Sequence, residues 1–296
     1  MPHRAKRKRL VTLRIGVKTK LVMGKFNSKR VLITGGASGI GRIMGAMALE
    51  KGASALVIWD INQANIDDTL NELSTKGEVV AYRIDISNEE EVVATAKRVK
   101  EEVGEIDIVI NCAGIITSNK TFDQYDTTDI YRTININTIA PMLVTLQFLP
   151  DMIARNSGHI CNISSAGGLI SNPRMSIYAA SKWAVIGWSD SVRIELEQLK
   201  SKVRVTTIAP YYIKTGMFDG VKSPIVPLME PKYAARRIIR AIENNRNIKV
   251  VTKLIPFPYH FVRLMQGILP TKIFDWIFGK GFGIYHSMDN FTGKKR

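Results

Sequence analysis

An α/β fold, with one doubly wound parallel sheet of about seven strands and helices on both faces, is what this sequence predicts. Three observations carry that expectation. Short β-branched runs alternate with longer helical segments from residue 30 onward. A glycine-rich turn joins the first run to the first helical segment. Apolar residues make up 45% of the 296, an ordinary globular fraction that excludes a disordered chain or a low-complexity fibre.

Taken in order, Arg30–Thr34 reads as a buried strand, followed by the glycine turn and a helix through about Lys51. Ala55–Asp60 is the second strand, with a helix to about Lys76. Val79–Asp85 is the third; the helix after it, to about Val103, is expected to start on a capping box of Ser87 and Glu90. Ile106–Asn111, His159–Ser164 and Val203–Ala209 are strands four to six, and Lys249–Thr252 supplies a seventh. Buried strands separated by helices imply parallel pairing with right-handed crossovers. No internal repeat is apparent.

The net charge of +16 is a property of the two ends: residues 1–30 carry +11 and residues 231–296 carry +10, leaving −5 between them. The central body is therefore not expected to bind nucleic acid. The chain is expected to divide into a basic tail (1–27), a main α/β domain (28–252) and an apolar, basic extension (253–296). The run Arg4–Arg9 admits a nuclear localisation signal, a nucleic-acid contact, a membrane-surface tether, a mitochondrial presequence or a solvated tail. No secretory core follows it, and no conventional membrane-spanning stretch is expected. Two cysteines, Cys112 and Cys161, cannot build a disulfide scaffold, and four scattered histidines offer no ligand spacing, so no metal site is expected.

The turn Thr34-Gly35-Gly36-Ala37-Ser38-Gly39-Ile40-Gly41 closes a strand and opens a helix. Glycines there let backbone N–H groups approach a pyrophosphate, and the helix dipole favours its charge. Asp60 ends the second strand 19 residues after Gly41, where a carboxylate accepts hydrogen bonds from ribose hydroxyls. The same carboxylate repels a 2′-phosphate, so NAD is expected over NADP, with Arg42 the one basic side chain close enough to argue otherwise.

Tyr178 and Lys182 stand four residues apart, which puts both on one face of a helix. A neighbouring cation stabilises a phenolate and makes a tyrosine usable as an acid/base for an alcohol–carbonyl pair. Ser164 and Ser165 end the fifth strand, and Asn111-Cys112-Ala113-Gly114 ends the fourth, at the sheet edge where ligands bind in open parallel sheets.

Together, Thr34-Gly-X-X-X-Gly39-X-Gly41, Asn111-Cys-Ala-Gly114, Ser165 thirteen residues before Tyr178, and Tyr178-X-X-X-Lys182 resemble the short-chain dehydrogenase/reductase family over roughly residues 28–245. The resemblance implies a Rossmann-like sheet and an NAD-dependent enzyme. It makes Tyr178 the general acid/base, Ser165 (with Ser164 as rival) the residue that positions the substrate oxygen, and Lys182 the group that lowers the tyrosine pKa. Asn137, with Asn135 as rival, would hold a relay water. The dinucleotide would be held by Thr34, Gly35, Ser38, Gly39, Ile40 and Gly41, by Asp60 and Ile61, and by Asp85 and Ile86. Asn111, Ala113, Gly114, Tyr178 and Lys182 would complete the site, with Pro210, Ile213 and Thr215 beyond the sixth strand. Cys112 stands where the family usually has a second asparagine, and Tyr211 where many members carry glycine.

Pro210–Phe218, Trp59–Asn62, Glu230–Tyr233 and His286–Asp289 resemble a narrower group, the epidermal retinol dehydrogenases and the hydroxysteroid dehydrogenases of endoplasmic reticulum and lipid droplets. Members typically carry a hydrophobic N-terminal segment, which residues 1–30 do not. That resemblance implies a lipophilic alcohol, a retinoid or a steroid, as substrate. Residues 215–230 read as an apolar loop suited to covering it. From Leu254 onward, aromatic residues such as Phe257, Tyr259, Phe261, Phe274, Trp276, Phe278 and Phe282 mix with Arg263, Lys272 and Lys280. This suits a segment lying on a membrane or lipid-droplet surface, with a homodimer interface or extra core as the competing reading.

Overall fold

A computed structural model describes residues 25–223, 227–251, 259–281 and 284–292. The basic run Arg4–Arg9, Phe257 and Phe282 lie outside the described residues.

Seven strands form one fully parallel sheet: β1 (Arg30–Thr34), β2 (Ala55–Asp60), β3 (Val79–Arg83), β4 (Ile108–Asn111), β5 (His159–Ile163), β6 (Arg204–Pro210) and β7 (Ile248–Val251). Their order is β3-β2-β1-β4-β5-β6-β7, so the winding reverses between β1 and β4. At such a reversal the connections leave in opposite directions and open a crevice beyond the strand ends. The β1–β4 register, Val31 opposite Ile108 through Thr34 opposite Asn111, brings the glycine turn and the Asn111–Gly114 turn to the same level.

Both faces of the sheet are covered, which is why its strands are continuously apolar rather than alternating. Val31 and Ile33 point to a core shared with α1 (Gly39–Glu50) and α7 (Pro231–Glu243). Leu32, Val57 and Trp59 point to the opposite core, filled by α3 (Glu89–Glu102), α5 (Ala140–Ala154) and α6 (Ser176–Gln198). Phe26, assigned to the tail by sequence, is fully buried in the first core.

Two local differences from the sequence reading have clear causes. The α3 cap is Asn88, which accepts the Glu91 N–H, because the Asp85 carboxylate has already captured the Ser87 N–H and hydroxyl. The helix α4 (Thr127–Ile134) continues through a π-helical segment, Asn135–Ile139, into α5. That run, 127–154, is long and apolar enough to cross a membrane by composition alone. Nonetheless Ala140, Val144, Phe148 and Met152 are buried in the second core, the normal behaviour of a core helix.

Candidate active site

The turn after β1 owes its shape to its glycines. Gly35 has φ +64°, and a Cβ on it would lie 2.9 Å from Ala113 Cα. One on Gly41 would lie 2.2 Å from the Gly35 carbonyl oxygen. Gly39 has φ +54°, and its open side meets nothing closer than the Thr215 side chain at 3.8 Å. The first turn of α1 contains no acidic side chain, and Ser38 makes no side-chain cap. The positive end of the helix dipole therefore meets no acidic side chain from its own first turn.

Asp60 is fixed by two backbone donors, Ala37 N–H at 3.1 Å and Asn62 N–H at 3.1 Å. Arg42 is turned away from the turn, onto Glu72 and the Asp68 carbonyl. These groups edge a cavity of about 250 Å³ that runs along the strand ends. Its wall includes Gly35, Ser38, Gly39, Ile40 and Gly41, then Asp60, Ile61, Asp85 and Ile86. It continues past Ala113 and Gly114 to Ser165, Tyr178 and Lys182, and across to Pro210, Ile213 and Thr215. An open glycine face, a helix N-terminus with no acid in its first turn and a carboxylate at the end of β2 fit a dinucleotide.

Three predicted residues serve the cavity from behind its wall. Thr34 Oγ1 accepts the Cys112 and Ala113 N–H groups, fastening β1 to the turn after β4. Asn111 donates to Asn162 Oδ1 at 2.8 Å and Thr145 Oγ1 at 3.0 Å, deep in the core. Asn137 exchanges hydrogen bonds with the Ile115 backbone at 2.8 and 2.9 Å and donates to Ser181 Oγ.

At the far end, Tyr178 and Lys182 are both buried on α6, as their spacing requires. Ser165 Oγ accepts the Gly167 N–H at 3.1 Å and lies on the side of Tyr178: a Cβ on Gly167 would meet Ser165 Oγ and Tyr178 Cε1 both at 3.6 Å. Ser164 Oγ instead donates to the Lys182 carbonyl at 2.8 Å, so the two serines divide into one beside Tyr178 and one locking the helix. Between the asparagines, Asn137 is buried and Asn135 only half-buried; a Cβ on Gly114 would meet Asn137 Oδ1 at 3.2 Å and Lys182 Nζ at 3.4 Å. Lys182 Nζ donates to the Ile163 carbonyl at 3.0 Å and lies 5.7 Å from the centre of the Tyr178 ring.

Burial dominates the acid–base properties. It pushes Tyr178 up to about 12, with the Ser165 hydroxyl acting the other way, and Lys182 down to about 8. The lowered tyrosine pKa expected from the Lys182 neighbour is thus not found in the protein alone, where burial of the phenol sets the direction. Cys112, in the cavity wall, is pushed up to about 12 by burial, with the Lys182 charge acting the other way.

This crevice, built on a glycine turn with a serine, a buried tyrosine and a buried lysine at one end, is accompanied by a family match. The model of the short chain dehydrogenase family matches residues 29–225. The chain belongs to the short-chain dehydrogenases. It is 38% identical to epidermal retinol dehydrogenase 2 of Mus musculus, over 90% of this chain and 86% of that one. It is 33% identical to human estradiol 17-beta-dehydrogenase 11, over 88% and 85%. Among solved structures it resembles a short chain dehydrogenase/reductase from Burkholderia phymatum in complex with NAD, with TM-score 0.69 and 25% identity over 83% and 95% of the two chains. As a short-chain dehydrogenase the protein is an oxidoreductase acting on CH–OH donors.

Parts of this short-chain dehydrogenase are not signalled by its motifs. The π-helical segment that carries Asn137 leaves no mark in the hydropathy pattern. The substrate side of Tyr178 is walled by Phe218, whose ring meets Tyr178 edge-on at 6.1 Å and Tyr212 at 5.1 Å. Behind it lie Met175, Val221 and, from the C-terminal extension, Met288. Arg132, on α4, also reaches the cavity wall.

Proposed function

We propose that this chain is an NAD-dependent dehydrogenase that interconverts a lipophilic alcohol and its carbonyl, with retinol and retinal as the first pair to test. The observation that carries the reading is the buried Tyr178 side chain, which shares the cavity wall with Ser165 and Lys182 and stands between the glycine-lined crevice and an apolar cluster. Bound in the crevice, a nicotinamide dinucleotide supplies the hydride acceptor or donor. Tyr178 takes or returns the substrate's hydroxyl proton at Oη, and Ser165 Oγ orients the substrate oxygen. Lys182 keeps a positive charge beside the Tyr178 ring, which stabilises the phenolate while the proton is away. Asn137 holds the segment around Ile115 that faces both.

NAD over NADP is supported by the fixed Asp60 carboxylate and by the engagement of Arg42 with Glu72. A lipophilic substrate is supported by the wall of Met217, Phe218, Ile115 and Tyr211. Retinol ranks ahead of a 17-beta-hydroxysteroid because the retinol dehydrogenase relative is the more similar of the two described. A non-catalytic scaffold would need no Ser165–Tyr178–Lys182 set. Leu264, Ile268, Ile273 and Trp276, between 47% and 66% exposed beside Lys272 and Lys280, support docking of the C-terminal extension on a membrane or lipid-droplet surface rather than in a homodimer.

Purified protein with NAD or NADP is to be assayed against retinol, estradiol and 1-decanol. Retinol oxidation with NAD is expected. Tyr178→Phe should lower turnover by at least about 100-fold at unchanged NADH affinity. Undiminished turnover in that variant would remove Tyr178 from the chemistry. Ile268→Glu combined with Trp276→Ser should abolish co-flotation with liposomes; flotation unchanged would refute the docking assignment.

A further inference from the structure

The segment Tyr285–Thr292 crosses the substrate side of the site as a strap and is tied to three separate elements around Tyr178. Ser287 and Met288 are each 1% exposed. The Ser287 hydroxyl is 2.9 Å from Tyr212 Oη and accepts from Asn172 Nδ2 at 3.2 Å, and its carbonyl accepts the Lys222 N–H at 3.1 Å. Asn119, beyond β4, donates to the Met288 carbonyl at 2.8 Å. The Thr292 N–H donates to the Asp219 carbonyl at 2.9 Å. Gly220 lies beneath the strap with φ +81°, and a Cβ there would sit 2.0 Å from the Asn290 carbonyl oxygen.

So stitched, the strap delivers one long apolar side chain, Met288, into the cluster formed by Met175, Tyr178, Tyr212 and Val221. Tyr212 and Phe218 stand in edge-on contact, and Phe218 in turn faces the Tyr178 ring. We propose that Met288 is a specificity-determining positioning residue: by backing the Tyr212–Phe218 wall it sets how deep an alcohol's apolar body can reach beyond Tyr178. An unbranched thioether fills such a space with the fewest rotamer constraints, and shortening it opens room on one side of the wall only. The dinucleotide crevice, on the other side of Tyr178, is untouched.

The choice of alcohols rests on the function proposed above. Wild-type, Met288→Ala, Met288→Leu and Gly220→Ala proteins are to be compared on retinol, estradiol and 1-decanol. Met288→Ala should change the ratio of kcat/KM between the bulkiest and the slimmest alcohol by about tenfold, chiefly through KM. Leu should restore the ratio, and Gly220→Ala, by lifting the strap, should shift it in the same direction as Ala. NADH affinity should not change. An equal fall for every alcohol, or no change, would mean a merely structural role and overturn the proposal. If the wild-type protein turns over none of the three, the proposed function fails, and the strap is judged by hydrogen exchange instead. Amides of 286–292 should then change their exchange rate when one of these alcohols is added with NADH, and not with NADH alone. Indifference to all three overturns it.

Discussion

The two flanks of Tyr178 are made from different material. The cofactor flank is made of main chain: a turn in which Gly35, Gly39 and Gly41 leave no room or no allowed φ for a side chain, and a carboxylate held by two amides. The substrate flank is made of side chains, with Met175, Tyr212, Phe218 and Met288 spread over more than a hundred residues of chain. A surface made of backbone restricts which residue can occupy each position, whereas a surface made of side chains requires only that their volumes add up. The first can be read along the chain, and the second cannot.

Substitutions that strike one flank at a time test that division. The largest effect is expected from Gly41→Val, because a Cβ would meet backbone rather than a movable side chain. It should weaken NADH binding by at least about 100-fold, measured by titration of NADH fluorescence, since main-chain overlap cannot be relaxed cheaply. Binding of an apolar alcohol to the substrate flank should survive in any variant that still folds.

Lys182 sits at the seam. Its folded pKa, about 8, lies below its ordinary value of 10.5, so the unfolded chain binds more protons between those two values. Burying the ammonium therefore costs stability below about pH 8, and the cost fades as pH rises toward 10.5. Lys182→Met should raise urea stability at pH 7 by on the order of 2 kcal/mol, a gain that disappears near pH 10.5, while turnover collapses. A destabilised variant at pH 7 would mean that the lost bond to the Ile163 carbonyl outweighs the relief.

Smaller effects should be confined to one side. Asp60→Ser, by removing the charge beside the ribose site, should shift the NAD-to-NADP preference toward NADP by about tenfold in kcat/KM. Ser287→Ala removes a hydroxyl from the Tyr212–Asn172 node and should cost about 1 kcal/mol of stability. NADH affinity should remain as it was; a fall would show that the flanks are coupled through Tyr178.

Legibility in the sequence follows the same line. The seven strands, the glycine turn, Asp60, and the Tyr178–Lys182 helix could be read because each depends on local spacing. The choice of Ser165 beside Tyr178 and Asn137 in the core needed coordinates, since Ser164 and Asn135 are of the same type and close in sequence. The α3 cap moved to Asn88 because a loop carboxylate, Asp85, competed for Ser87. The C-terminal extension was the least legible. Its composition left a lipid-facing surface, a dimer interface and extra core all open, and nothing in it singled out Ser287 and Met288 as the residues buried against the site.

Cys112 occupies a place where a more acidic thiol would be a hazard. Any enzyme that releases an aldehyde, above all a conjugated one, exposes its own nucleophiles to alkylation by its product. A thiol held near 12 is almost wholly protonated in the cell, and the protonated sulfur is a feeble nucleophile. For the aldehyde product of the reaction proposed above, such a thiol in the cavity wall offers a weak target.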